Sequence, residues 1–457
     1  MLKIMAYQNT AYAGRLGEKQ AANKLGTYFA GLKVIVDSLQ RNGYDVDWGG
    51  CEDVSKYNII LVSITSSKDW LPFLAERVKW GKGIYKVIVG GAGAMNPRPF
   101  LPFVDCFVLG RGENLIIDIV KGLEKDVRHV NESVIWSNLY SNDDEYYFRQ
   151  ESLYPHRVFL DDGETHLNKF QRKARVFEEK SMGCPYKCLF CAYSHHRKHI
   201  DSTKGDGMFR GAIIHELREM CMLDIIRNKD KIDLGMLRIC ALDGISERLR
   251  FNAGKMISRE NFREFLKIIL LRNKNMRFKL YNIVGMPTEC EDDYFEFIED
   301  VDYVDKNTRS GAHVQIELHN TPFQAMPATP AACWPMSYRN YRGIIANTLM
   351  KASASQRLEG KGRCYDGDHF TVCESIYTET LPSTALQAIC HRGTEKDSDN
   401  IRKLALKWHN YDKLSGEAKL TVLSQGFDLK TIFGEFSAET LPTRNIKTYK
   451  DVLTARA

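Results

Sequence analysis

The stretch EKSMGCPYKCLFCAY, residues 179–193, decides how this chain is read, because it sets Cys184, Cys188 and Cys191 on one short loop directly behind a strand-like run, ARVFEEKSM. Three cysteines this close together do not make a disulfide framework and read as metal ligands. Three thiolates can bind three irons of a [4Fe-4S] cubane and leave the fourth iron open to another ligand. Gly183 and Pro185 suit a tight loop, and Phe190 supplies an apolar wall beside it. A structural zinc site completed by His195 or His196 uses the same spacing. The loop's expected place, at the end of the first strand of a β/α pattern, favours the cluster, since such barrels carry their chemistry on that edge.

Outward from the loop, strand and helix runs alternate on both sides. After it come a helix near GAIIHELREMCMLDIIRNK, the strand LRICALDG, a helix near SRENFREFLKIILLRN, the strand FKLYNIVG, a helix near EDDYFEFIEDVDYVD and the strand HVQIELHN. This predicts a partial β/α (TIM-like) barrel over 171–330. Before it, 1–125 alternates LKIMAYQ, YDVDW, NIILVSITSS, YKVIVGGAG and CFVLG with amphipathic stretches, the pattern of a doubly wound (Rossmann-like) parallel α/β sheet. Ligands of such sheets sit at the carboxyl ends of the strands, where Ser63, Gly90, Gly91 and Gly93 fall. Residues 126–170 are polar and irregular and read as a linker. The stretch 331–457 reads as a C-terminal extension, mostly helical and facing substrate.

The chain has 457 residues, of which 44% are hydrophobic, enough to fill at least two cores. Lys and Arg outnumber Asp and Glu by 64 to 58, a net charge of +6 that permits a polyanionic partner without arguing for one. No secretory leader pattern and no run of eighteen apolar residues is found, which points to the cytoplasm and away from membranes.

The cysteine loop resembles the cluster motif of the radical S-adenosylmethionine (SAM) superfamily, with Phe190 at the aromatic position next to the adenine. The resemblance implies a [4Fe-4S] cluster on Cys184, Cys188 and Cys191. It also implies one-electron cleavage of SAM to a 5′-deoxyadenosyl radical that takes a hydrogen atom from substrate, with an electron donor such as flavodoxin or ferredoxin. ALDGISERLRFNAGK is similar to the family's strand and helix near the SAM amino acid and ribose, which makes Asp243, Ser246, Glu247 and Arg248 candidate SAM contacts. A surface helix start with Ser246 as N-cap explains the same residues. NIVGMPTECEDDYFEF resembles a later strand, turn and acidic helix start of the family, and is equally an ordinary turn with a Thr288 cap. HNTPFQAMPATP resembles a strand end of members that carry a cobalamin-type domain. No clear Gly-Gly-Glu element follows the second strand, a departure from the family's pattern.

The front module, through KVIVGGAGAMNPRPFLPFVDCFVLGRGENLI, is similar to the cobalamin-binding domains fused to many radical SAM enzymes, which makes Ser63, Gly90, Gly91 and Gly93 candidate cobalamin contacts. Glycines serving only tight turns look identical. No histidine precedes His129, so no imidazole of this module can ligate cobalt from below. The expected outcome of hydrogen abstraction is cobalamin-dependent methylation or radical rearrangement, the latter as an isomerase acting on a small molecule, a modified nucleotide or a nucleic-acid base. A noncatalytic metal-binding ligand sensor is the competing class. SHHRKH, residues 194–199, can meet phosphates or form a solvated face. Cys333, Cys364, Cys373 and Cys390 lack the spacing of a second cluster.

Overall fold

The computed structural model describes residues 2–7, 30–50, 54–80, 83–128, 133–140, 157–159, 176–178, 186–192, 218–219, 222–227, 229–230, 237–272, 275–327, 329–332, 334–335, 363–375, 381–429 and 432. The chain divides into two units, one of residues 1–182, 208–213 and 386–428 and the other of residues 183–207, 214–385 and 429–457.

In the first unit, β1 (Ile4–Tyr7), β2 (Val46–Gly49), β3 (Ile59–Ser63), β4 (Lys86–Gly90), β5 (Cys106–Val108) and β6 (Val134–Trp136) form one sheet in the order β2-β1-β3-β4-β5-β6. Strands β1 to β5 run parallel and β6 is antiparallel to β5. Their near-continuous apolar runs, such as the fully buried IMAY of β1, are what a sheet covered on both faces requires. Helix α1 (Ala30–Arg41) buries Leu32, Val36 and Leu39 at helical spacing against this sheet. It ends at Gly43, whose φ of 84° lets the Gly43 and Tyr44 amides turn back onto the Gln40 and Leu39 carbonyls. Helices α2 (Trp70–Arg77) and α3 (Leu115–Glu124) complete the layers, with the Trp70 ring stacked on Phe100 at 3.7 Å. Strands β7 (Arg157–Phe159) and β8 (Val176–Glu178) pair antiparallel as a separate ribbon. Strand β8 was expected to be the first strand of the barrel. Its three residues carry enough apolar character to mark a strand but too little to specify a partner.

The second unit is a partial β/α barrel. Its sheet orders β13-β14-β12-β11-β10-β9, from β9 (Arg218–Glu219), β10 (Leu237–Asp243), β11 (Met276–Val284), β12 (Val314–Pro322), β13 (Arg363–Asp366) and β14 (Phe370–Ser375). All neighbours are parallel except the edge strand β13. The helices are α4 (Met222–Arg227), α5 (Glu247–Asn252), α6 (Arg259–Arg272) and α7 (Glu291–Asn307). Strand β9 falls inside a stretch that sequence reads as helix, since two residues give no alternation to detect. Along β11 burial alternates, with Phe278 inward onto Phe265 of α6 and Lys279 and Tyr281 on the opposite face. Helix α7 buries Tyr294, Phe297, Ile298, Val301 and Val304, and Phe297 stacks on Phe262 of α6 at 5.7 Å. Each such buried side chain contributes roughly 1.5–3 kcal/mol.

The expected extension 331–457 is divided between the units. Strands β13 and β14 belong to the second sheet, while 386–428 belongs to the first unit. The last helices are α8 (Leu381–Arg392), α9 (Ser398–Leu406), α10 (Trp408–Asp412) and α11 (Gly416–Gly426). Asn96 donates to the Cys390 and Gly393 carbonyls at 3.1 and 2.9 Å, and Ser398 to the Pro99 carbonyl at 3.0 Å.

Candidate functional site

Within the second unit the cysteine loop is gripped by main chain on two sides. The Leu189 amide donates to the Ala253 carbonyl at 2.8 Å and the Ala331 amide to the Leu189 carbonyl at 2.9 Å. The Met326 amide reaches the Phe190 carbonyl at 2.9 Å, and a 3.1 Å bond from the Cys191 amide to the Cys188 carbonyl closes a turn. Cys188 is 3% exposed and Cys191 is half-buried, while Phe190 packs edge-on against Phe323 with centroids 6.1 Å apart. Gly254 has a φ of 78°, and a Cβ there would lie 2.4 Å from the Lys187 carbonyl oxygen, so only glycine lets this backbone pass beneath the loop. Cys184, His195 and His196 lie outside the described residues. Among the described residues no group of three His, Cys, Asp or Glu is placed to hold a metal ion.

The exit of β10 carries the strongest electrostatic feature near the loop. Asp243 sits at a φ of 65°, a left-handed conformation that aspartate tolerates better than most residues. Its carboxylate pairs with Lys255 Nζ at 2.6 Å, and the same ammonium donates to the Ala241 carbonyl at 2.6 Å. The Lys255 side chain is 2% exposed and lies over the Tyr186 ring at 4.8 Å. Burial alone would lower the ammonium's pKa, but Asp243, with the Cys188 and Cys240 sulfurs, drives it well above its ordinary value. Lys255 therefore stays charged and ties the β10 exit to the loop. Sequence reading missed it, since a lysine after Ala-Gly looks like a surface turn residue.

Ser246, Glu247 and Arg248 gather at the same exit, each with a partner inside the protein. Ser246 caps α5 by accepting from the Leu249 amide at 3.2 Å and donates to Asp293 Oδ1 at 2.5 Å. Arg248 forks onto Asp293 at 2.5 Å and onto the Thr288 hydroxyl and carbonyl at 3.0 and 2.9 Å. The Glu247 carboxylate accepts from the Arg259 amide. Thr288, expected as a helix cap, instead stands two residues before the cap, at a φ of 73°. Cys290 is the N-cap of α7, its amide bonded to Asp293 Oδ2 at 2.8 Å, because Asp293 reaches back while Thr288 is held by Arg248.

In the turn after β11, Glu289 accepts from the Gly285 and Met286 amides at 2.6 and 3.0 Å and is bonded to the Tyr294 hydroxyl. Burial pushes its carboxyl up to about 7, against the pull of those donors. On the face of the sheet opposite α6, His319 is 8% exposed, and neither ring nitrogen has a hydrogen-bond partner. Its Nε2 stands 3.7 Å from Glu317, too far for a hydrogen bond. Burial, with Lys279 nearby, holds this imidazole below its usual pKa, so it is neutral at pH 7. Asn282 Oδ1, Asn320 Nδ2 and both amide atoms of Gln324 are likewise buried without partners. Such orphaned groups, together with a buried thiol turn, fit a strand edge completed by a bound group.

The front unit gives a different result at its strand ends. Gly91 has a φ of 101° and a Cβ there would lie 2.5 Å from the Ile64 carbonyl; one at Gly93 would lie 2.4 Å from the Ser66 backbone. The Gly93 amide bonds to the Ile64 carbonyl at 2.7 Å and the Ile64 amide to the Gly90 carbonyl at 2.8 Å. Ser63 closes β3 just ahead of this contact. The chain's own close packing therefore already requires glycine at positions 91 and 93.

Residues 71–142 match the family described as radical SAM proteins, N-terminal. Curated proteins give no match. Among solved structures the chain is similar to the cobalamin-dependent S-adenosylmethionine radical enzyme OxsB with aqua-cobalamin and S-adenosylmethionine bound, at 12% identity and a TM-score of 0.29. It is also similar to the apo, selenomethionine-labelled form of that enzyme, at 14% identity and a TM-score of 0.28. Each alignment covers 94% of this chain and 57% of the other, so the chain spans little more than half the length of these structures. Among the described residues no helix is long and apolar enough to cross a membrane.

Proposed function

We propose, for a chain that carries the N-terminal region of the radical SAM proteins over residues 71–142, that the second unit is a radical SAM catalytic unit with Cys184, Cys188 and Cys191 as the ligands of a [4Fe-4S] cluster. The observation that carries the reading is the buried Cys188–Cys191 turn, clamped by the backbones of Ala253, Met326 and Ala331. When bound, the cluster would supply the single electron for reductive cleavage of SAM to methionine and a 5′-deoxyadenosyl group that takes hydrogen from substrate. Phe190 walls the loop from solvent. Lys255 fixes Tyr186 and the β10 exit, and Asp243 orients Lys255. Ser246 and Arg248, both anchored on Asp293, and Glu247, bonded to Glu296 and the Arg259 amide, brace the α5 start that borders the SAM position. The Asn320 Nδ2 and the Gln324 amide are groups of this edge that bound SAM would satisfy.

The substrate radical would then either be methylated with cobalamin, for which Ser63, Gly90, Gly91 and Gly93 are the candidate contacts, or rearrange. An electron donor of the flavodoxin or ferredoxin class supplies the reductant.

Anaerobic reconstitution followed by dithionite and SAM tests the reading. The expected product is 5′-deoxyadenosine, and Cys188→Ala should lose both the iron chromophore and SAM cleavage. Four irons per chain without that product would favour a noncatalytic sensor, and retention of both properties in the variant would remove Cys188 from the site.

A further inference from the structure

The amino ends of the strands in the first unit, the edge opposite Ser63 and Gly90, border an open cleft of about 360 Å³. That lies within the size of pockets that take small molecules, roughly 300–1,000 Å³. Three cations line it, Arg77, Lys86 and Arg128, against the single carboxylate of Asp105, an excess of two positive charges. Trp136 and Phe103, 3% and 8% exposed, are buried beneath it and give the charged groups a rigid base. Each charged group is held in place. Asp105 accepts from the Val87 amide at 2.9 Å and pairs with Lys86 at 3.4 Å. Arg77 donates to the Phe103 carbonyl at 2.9 Å with its guanidinium over the Trp80 ring at 5.3 Å. Arg128 lies 5.8 Å from the Trp136 ring centre.

Guanidinium and ammonium groups preset around one cleft suit an anion, since guanidinium matches phosphate or carboxylate oxygens. We propose that this cleft is a binding site for a small molecule carrying a phosphate or carboxylate, separate from the cysteine-loop site. The inference rests on the first unit alone and stands or falls apart from the radical SAM reading.

Titration calorimetry of the full chain with AMP, in excess SAM so that any adenine position of the second unit is filled, tests it. AMP should bind saturably. Arg128→Ala and Lys86→Ala, both changes of solvent-accessible side chains, should each weaken it roughly tenfold, the size of one lost charge-assisted contact. Added salt should weaken it further. Adenosine, which lacks the anion, should bind more weakly than AMP. Absence of AMP binding, affinity unchanged in both variants, or adenosine binding as tightly as AMP would overturn the proposal.

Discussion

Lys255→Met is the sharpest test of how the cysteine loop is supported. The substitution keeps an unbranched apolar stem one atom shorter and removes the terminal ammonium with its charge and hydrogen bonds. The ammonium it deletes is 2% exposed and bonded at 2.6 Å to both Asp243 and the Ala241 carbonyl. Removing one partner of a buried pair leaves the other charged and poorly solvated, at a cost of about 3–5 kcal/mol. Asp243 keeps 20% of its side-chain exposure and can recruit water, which places the loss near the lower end, about 3 kcal/mol. Asp243→Asn leaves the ammonium itself stranded and should cost at least as much, while asparagine still tolerates the left-handed backbone. In the double variant no charge is stranded, so its loss should fall short of the sum of the single losses by at least about 1 kcal/mol. Urea unfolding followed by circular dichroism at constant m-value measures all three. Iron content after anaerobic reconstitution should fall in parallel, because Tyr186 loses the cation over its ring. A loss below about 1 kcal/mol in either single variant, as for an exposed pair, or simple additivity, would refute the reasoning.

Asp305 presents a second concentrated case: one carboxylate, 6% exposed, accepts from the Asp368, His369 and Phe370 amides and from the Tyr365 hydroxyl. Asp305→Ala should cost about 3 kcal/mol and raise hydrogen exchange at those three amides before any change elsewhere; unchanged exchange there would count against the contact. Glu289, with its carboxyl pushed up from 4.5 to about 7, is best accommodated while protonated. Its contribution to stability is full below the unfolded value and is lost as pH rises through about 7, so the protein should weaken across that window and Glu289→Gln should flatten the slope. A pH profile of the urea midpoint that is the same in both proteins would exclude this role.

The alternation of strands and helices was legible because the buried runs of β1, β3 and β4 and the 3.6-residue spacing in α1 and α7 are local properties. The cysteine turn was legible for the same reason. What escaped was non-local. Nothing near Asp305 in sequence marks it as the anchor of a turn 63 residues away, and Lys255 becomes informative only once Asp243 and Tyr186 surround it. The glycines after β4 were legible as special but not in purpose, since turn packing and ligand approach ask for the same missing side chain. Strand β9 and the ribbon of β7 and β8 are too short to announce their partners.

The return of residues 386–428 to the first unit bears on how the protein is made. Asn96 is 6% exposed and closes onto the Cys390 and Gly393 carbonyls, which leave the ribosome almost three hundred residues after it. The unit that is translated first is therefore the one that must wait, with an open seam beside Pro99, until the second unit's strands have been synthesised. A truncated front module would keep its sheet yet carry that seam as bare, sticky surface, so the two halves of the molecule are not separable by a single cut.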